Sequence, residues 1–264
     1  MRRMKKQWFV FRGQQLLLVR QTDGTYGVPL CEEPPTPVAA DTRIHETGDR
    51  SAVGGDDVAV MTYEVPASYA SDDFCALRAS YYKLPSDIYL KAGKCAEILY
   101  WDRHTKYCGK CGGEMTADTA ISKRCVRCGH TVWPQLATAI IVLVRRGDEI
   151  LLVHANNFRG NYYGLVAGFV ETGETLEEAV EREVLEETGL HIKNIRYYGS
   201  QPWPYPCGLM IGFFADYDYG EIRLQQSELA SGGWYRTDNL PQIPGKMSIA
   251  RRMIDRARGD GNAR

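Results

Sequence analysis

The stretch that decides the fold runs Gly168-Phe-Val-Glu-Thr-Gly-Glu174-Thr-Leu-Glu-Glu-Ala-Val-Glu-Arg182-Glu183-Val-Leu-Glu186-Glu187-Thr-Gly189-Leu190. It reads as a loop feeding a helix. Thr175 is placed to N-cap, and Glu178 three residues on completes a capping box. Gly189 supplies the left-handed stop. At about 100° per residue from Leu176, Ala179 and Val180 fall on one buried stripe. Glu183 and Glu187 fall within about 20° of its centre, and Glu186 lies at its edge. Glu177, Glu178 and Glu181 point elsewhere, as a solvated face requires. Carboxylates facing a core are costly unless paired or bound to metal. Three acids at i, i+3 and i+4 converge on one point. With no Cys or His among them, they make a hard oxygen site suited to Mg²⁺ or Mn²⁺.

This stretch resembles the Nudix box, G-x5-E-x7-R-E-U-x-E-E-x-G-U with U aliphatic. Gly168, Glu174, Arg182, Glu183, Val184, Glu186, Glu187, Gly189 and Leu190 fill its fixed places. The resemblance implies an α+β protein with a Nudix α/β/α sandwich built on a mixed sheet. It also implies divalent-metal-dependent cleavage of a nucleoside diphosphate linked to another group. Glu183, Glu186 and Glu187 would be catalytic, holding more than one Mg²⁺ or Mn²⁺. The carbonyl of Ala167 and the carboxylate of Glu228 would add ligands, and Arg182 with Glu174 would orient loop and helix by an ion pair.

Upstream stand Cys108-Gly-Lys-Cys111 and Cys125-Val-Arg-Cys128, with thirteen residues between them. Two C-x-x-C knuckles at this spacing signal a zinc ribbon, and four thiolates close a tetrahedron with no open position. One structural Zn²⁺ per chain is expected from Cys108, Cys111, Cys125 and Cys128. Gly112 and Gly129 follow the knuckles and permit tight turns.

Downstream, Ser200-Gln-Pro-Trp-Pro-Tyr-Pro-Cys-Gly-Leu-Met210 reads from composition as a rigid loop. The segment is similar to S-Q-P-W-P-F-P-x-S, the mark of the NADH pyrophosphatase branch of the Nudix family, which also carries the ribbon. Tyr205 stands where that pattern has Phe, and Gly208 where it has Ser. The resemblance implies substrate contacts from Gln201, Pro202, Trp203, Pro204, Tyr205, Pro206, Cys207 and Gly208, with Trp133, Phe169 and Ala250 beside the nicotinamide or adenine. The implied substrates are NAD(H), split to nicotinamide mononucleotide and AMP, and the 5′ end of NAD-capped RNA. A homodimer is also implied. Hydrolysis of ADP-ribose or another nucleotide sugar, and a non-catalytic dinucleotide sensor, are the rival readings.

The 264 residues divide into an N-terminal α+β region, 1–103, the ribbon, 104–133, and a Nudix domain, 134–264. The opening hairpin Trp8–Val19 loosely echoes Ala139–Val153, which hints that the first region is a degenerate copy of the last. Strands are expected at Val58–Val65, Ile192–Tyr198, Met210–Tyr217, Glu221–Leu224 and Gly233–Tyr235. Helix is expected over most of Asp72–Arg103, at Gln225–Leu229 and at Ile249–Arg258. The formal charge of −1 gives no global field for nucleic acid. Basic residues cluster at Arg2–Lys6 and Arg251–Arg258, as solubilising ends or phosphate contacts. No apolar run reaches membrane-spanning length, so a cytoplasmic protein without membrane contact is expected.

Overall fold

A computed structural model describes residues 5–53 and 56–259. Arg2 and Arg3 of the first basic cluster lie outside the described residues. The chain forms two units: Met1–Gln135 with Pro204–Cys207, and Leu136–Trp203 with Gly208–Arg264. Among the described residues no helix is long and apolar enough to cross a membrane.

The first unit opens with strands β1 (Lys6–Arg12), β2 (Gln15–Leu17), β3 (Val19–Arg20), β4 (Tyr26–Gly27), β5 (Leu30–Cys31), β6 (His45–Val53), β7 (Asp56–Glu64) and β8 (Phe74–Ala76). Helices α1 (Leu77–Ser80) and α2 (Ser86–His104) follow. The sheet order is β6-β7-β1-β2-β8, with β5 on β1. Trp8, Phe9, Phe11, Leu16 and Tyr63 are fully buried in it. The helix expected over Asp72–Arg103 is corrected at its start: Phe74–Ala76 pairs with β2 instead. Pro85 marks the break and sits at the N-cap of α2.

The ribbon strands β9 (Met115–Thr119), β10 (Ser122–Cys125) and β11 (Thr131–Val132) form an antiparallel sheet. Lys123 on β10 is buried, with Nζ 2.8 Å from the Asp102 carboxylate and 2.8 Å from the Thr105 carbonyl. Burial opposes the charge on Asp102, but bonds from His45 and Lys123 hold its carboxyl well below the usual range. The ribbon is thereby fixed to the end of α2.

The second unit contains β12 (Ala137–Arg146), β13 (Glu149–Ala155), β14 (Val166–Phe169), α3 (Leu176–Thr188), β15 (His191–Trp203), β16 (Gly208–Tyr219), β17 (Leu229–Arg236) and α4 (Ile249–Arg258). Its sheet is mixed, β15-β16-β12-β13-β17 with β14 on β12, and only the β12–β16 pair is parallel. Alternation along the strands splits the core. Val142, Val144, Leu151 and Val153 pack with Val180 and Val184 of α3, while Ile141, Leu143, Ile150 and Leu152 pack with Met253 and Ile254 of α4. This is the expected α/β/α layering. Two expected elements are corrected. Glu221–Leu224 is not a strand, because Arg223 N–H donates to the Thr188 carbonyl at the end of α3. Gln225–Leu229 is a turn, closed by Leu229 N–H on the Gln225 carbonyl at 2.9 Å, rather than a helix.

The two sheets have the same strand order, and corresponding pairs run in the same sense. Lys6 pairs with Cys31 as Ile140 pairs with Gly168, and Leu17 pairs with Phe74 as Leu151 pairs with Trp234.

Candidate active site

The helix of acids forms with the termini its sequence requires. Thr175 Oγ1 accepts from Glu178 N–H at 3.2 Å, and the Glu178 carboxylate accepts from Thr175 N–H at 2.6 Å. Gly189 closes the helix at φ 71°. Ala179, Val180 and Val184 carry α3 onto the sheet and bring Glu183 and Glu187 inward, 9% and 4% exposed. Glu177, Glu178 and Glu181 remain on the solvent face.

Arg182 organises the entry to this helix. Its guanidinium bonds Glu174 at 2.7 Å, the Phe169 carbonyl at 2.9 Å, Glu183 at 2.9 Å and Glu186 at 3.2 Å. The bond to Arg182 holds the Glu174 carboxyl down at about 2. The ion pair expected of these two residues is therefore present. Gly168 lies beside Glu183 so closely that a Cβ there would overlap the Glu183 carboxylate. Glycine at this strand position makes the room the acid occupies.

Glu187 differs from its neighbours. Among the described residues its carboxylate has no cationic partner. Burial, then the charges of Glu183, Glu228 and Glu186, push its pKa up to about 8. Burial also raises Glu183, against the pull of Arg182. Glu228 reaches this group from the turn after Gln225, whose N–H donates to the Glu187 carbonyl at 2.9 Å. Asn156, which the sequence did not single out, holds the same turn: its N–H donates to the Glu228 carbonyl at 2.7 Å and its amide to the Gln226 carbonyl at 3.1 Å. No motif surrounds Asn156, so only the fold reveals it. Two buried carboxylates, Glu183 and Glu187, beside the exposed Glu186 and Glu228 make an oxygen-only donor set that fits a hard divalent cation. The acids remain spread: among the described residues, only the four cysteines bring three or more such ligand atoms mutually within 4.8 Å.

Those four are Cys108, Cys111, Cys125 and Cys128. The N–H groups of Cys128 and Arg127 bring the Cys125 thiol down, toward the thiolate a metal needs, while its bonds to the neighbouring cysteines push the Cys111 thiol up. Arg127 N–H lies 3.4 Å from that sulfur. The donor set fits zinc.

The remaining predicted residues fall in several places. Phe169 ends β14 and is 65% exposed, and Ala167 is exposed on the same strand. Trp133 is exposed in the first unit. Ala250 is buried in the α4-side core. Gln201 spends both ends of its amide on the start of α4, donating to the Met247 carbonyl at 2.8 Å and accepting from Ile249 N–H at 2.6 Å. Ser200–Trp203 belongs to β15, with Trp203 paired to Gly208 across the hairpin, and Pro202 exposed. Pro204–Cys207 counts with the first unit. There Pro204 is buried, Pro206 is exposed, and Cys207 is half-buried. The Tyr205 hydroxyl lies 2.7 Å from that of Tyr89, and its ring sits 4.2 Å from the Arg78 guanidinium. Burial and the Tyr89 contact push the Tyr205 phenol well above its ordinary pKa.

Parts of this chain are similar to known proteins. Residues 134–257 match the NUDIX domain. The NAD-capped RNA hydrolase NudC of Pectobacterium atrosepticum is 48% identical over 165 residues, 62% of this chain and 64% of that protein. The protein of the same name from Yersinia enterocolitica is 49% identical over 62% of this chain and 63% of its own length. The aligned stretch thus spans somewhat less than two thirds of these relatives. A NUDIX hydrolase structure from Nitrosomonas europaea is 22% identical, covering 58% of this chain and 93% of that one at a TM-score of 0.49. From the filled box, the capped helix with its buried acids and the matching family, it follows that this chain carries a Nudix domain.

Proposed function

We propose that the chain hydrolyses the pyrophosphate of NAD(H) to nicotinamide mononucleotide and AMP, and the same bond at the 5′ end of NAD-capped RNA, leaving 5′-monophosphate RNA. One observation carries the reading: Glu183 and Glu187 are buried carboxylates with acidic neighbours, at the places the box reserves for metal. The names of the similar proteins support the substrate.

In this reading Glu183, Glu186, Glu187 and Glu228, with the Ala167 carbonyl, hold Mg²⁺ or Mn²⁺. Such ions, when bound, neutralise the diphosphate and acidify a bound water. Arg182 fixes Glu174 and the Phe169 carbonyl, so that strand and helix keep their spacing. Phe169, Trp133 and Trp203 offer faces for the flat rings. Tyr205 is committed to Tyr89 and Arg78, so it serves the hairpin tip rather than a ring of substrate. That commitment favours a second reading, hydrolysis of ADP-ribose, which lacks nicotinamide.

The four cysteines hold one structural zinc, and metal analysis of folded, active protein should find about one per chain. A division at 1–103, 104–133 and 134–264 goes with this reading. The shared strand order supports the first region as a degenerate copy of the last. The protein acts as a cytoplasmic homodimer. Product identification from NADH, NAD⁺, ADP-ribose and NAD-capped RNA, assayed side by side, tests the proposal. Turnover of ADP-ribose alone would replace it with the second reading, and no turnover of any with Mg²⁺ or Mn²⁺ would remove both.

A further inference from the structure

Glu228 reaches the acidic helix from a turn whose direction is set by β17. That strand leaves β13 with a bulge: Ser231 pairs with His154 and Leu229 with Ala155, so Ala230 is the extra residue. A bulge bends its strand and re-aims the chain beside it. Here that chain is the single turn Gln225–Leu229, closed on the Gln225 carbonyl by Glu228 N–H at 3.0 Å and Leu229 N–H at 2.9 Å. Leu229 seats the end of the turn in the core with Val180 and Val184 of α3. Glu228, one residue before it, is exposed. Its carboxylate makes no hydrogen bond or ion pair among the described residues, so the backbone of the turn alone directs it.

A turn this short leaves its last carbonyls without partners of its own, as a helix end does. Asn156, just past the end of β13, takes two of them. Its N–H donates to the Glu228 carbonyl at 2.7 Å and its Nδ2 to the Gln226 carbonyl at 3.1 Å. A carbonyl only accepts, so the amide presents its NH₂ group there. On the side of α3, Arg223 N–H donates to the Thr188 carbonyl at 2.8 Å and Gln225 N–H to the Glu187 carbonyl at 2.9 Å. The segment is thus held between α3 and β13 by four bonds. Three come from backbone N–H groups, which every residue except proline supplies. The fourth needs the Asn156 side chain.

We propose that Asn156 is a positioning residue: by holding the Gln226 and Glu228 carbonyls it aims the Glu228 carboxylate at Glu183 and Glu187, where it completes the oxygen donor set for a divalent ion. The inference rests on the reading of Glu228 as a metal ligand. Asn156 itself touches neither ion nor substrate and acts only through the turn.

Titration of the full chain with Mn²⁺ alone, without nucleotide, tests this apart from turnover, with the free ion followed by electron paramagnetic resonance. Wild type is compared with Asn156→Ala, Glu228→Gln and the double variant, and each melting temperature is read in parallel. Asn156→Ala should weaken Mn²⁺ binding roughly tenfold, the lower end of the range for residues that orient metal ligands. Glu228→Gln should weaken it at least as much. The double variant should bind no worse than Glu228→Gln, because a residue acting through one carboxylate adds nothing once that carboxylate is gone. A general loss of structure would instead add to the effect of Glu228→Gln. Should Asn156→Ala melt early, Asn156→Leu keeps the bulk, removes the amide and should give the same loss of Mn²⁺. Unchanged affinity in Asn156→Ala beside a weakened Glu228→Gln would overturn the positioning role and leave Glu228 a ligand. Additive losses in the double variant would overturn it as well. Unchanged affinity in Glu228→Gln would remove the ligand reading and the proposal together.

Discussion

Between β5 and β6 the first sheet places thirteen residues, Glu32 to Ile44, whereas between β14 and β15 the second places twenty-one, Val170 to Leu190. The sheets around these connections have the same order. Even the hairpins correspond. Arg12 bonds Gln15 and lies 4.4 Å from the Phe74 ring, and Arg146 bonds Glu149 and lies 4.3 Å from the Trp234 ring. The connections differ because their sequences do. Pro34, Pro35 and Pro37 forbid a regular helix in the first. Thr36 there bonds the Tyr63 hydroxyl at 2.8 Å and lays the segment against the sheet as a loop. In the second, a capped run of helix formers carries acids to the core side. The frame accepts either connection, and only the second brings Glu183 and Glu187 to the core side.

The strongest break of this comparison is Glu187→Gln. It should lower kcat roughly a thousand-fold, the scale of losing one preorganised electrostatic group, while Glu32→Gln in the first connection should leave the rate unchanged. Near-wild-type turnover by the Glu187→Gln variant would return the acids to a structural role. Stability should move the other way. The folded pKa of about 8 exceeds the ordinary 4.5, so the folded state holds a proton that the unfolded state releases between those values. The metal-free protein should therefore lose stability as pH rises from about 4.5 to 8, by an amount on the order of a few kcal/mol. Glu187→Gln should flatten that slope in denaturant titrations at pH 5 and pH 8. An unchanged slope would show that Glu187 is ionised without cost.

A smaller effect is expected at the strand position where the sheets diverge. The first has Cys31 and the second Gly168. Gly168→Ala should displace the Glu183 carboxylate and cost roughly ten- to a hundred-fold in kcat, since a misplacement of about 1 Å can cost 10²-fold. Cys31→Gly should leave kcat unaltered. Equal kinetics for Gly168→Ala and wild type would mean that the Glu183 carboxylate has another resting place.

How much of this was legible followed the range of the interactions. The caps of α3 and the inward turn of Glu183 and Glu187 depend on neighbours within a few residues, and the sequence specified them. The four cysteines were legible from spacing. The strand β6 was not, because His45-Glu-Thr-Gly-Asp-Arg-Ser has little apolar character and becomes a strand by pairing with β7. Tyr205 could be read as a ring for stacking, but its hydroxyl partner Tyr89 is 116 residues away. The turn that carries Glu228 is held by Asn156 across a gap of 70 residues, and no local pattern announces it.

Trp203→Ala should act more mildly than the changes at the acids. Trp203 lies between two prolines and is half-buried at the end of β15. One aromatic contact is worth about 0.5–1.5 kcal/mol beyond area burial, which is roughly three- to ten-fold in rate. The loss should fall on NADH more than on ADP-ribose. Equal losses on both, with a lower melting temperature, would assign Trp203 to packing alone.

The smallest effect sharpens the comparison itself, because it concerns only the frame. Arg12 and Arg146 hold corresponding hairpins, but Arg12 also donates to the carbonyls of Tyr69 at 2.7 Å and Ser71 at 3.3 Å. Arg146 has no such bond among the described residues, and its partner Glu149 is partly exposed, so solvent weakens the pair. A guanidinium over an aromatic face contributes about 0.5–1 kcal/mol at such sites, and a hydrogen bond to a charged group about 1.5–3 kcal/mol at most. Arg146→Ala should thus cost about 0.5–1 kcal/mol and Arg12→Ala about 1–3 kcal/mol, read as separate calorimetric transitions or as hydrogen-exchange rates in β2 and β13. Neither change should alter kcat by more than about twofold, since neither residue touches the acids; that bound is about 0.4 kcal/mol on the barrier. If Arg146→Ala cost as much as Arg12→Ala, the extra bonds of the first hairpin would carry no weight. If either change lowered kcat strongly, the hairpins of the frame would be coupled to the acids, and the frame could no longer be treated as independent of them.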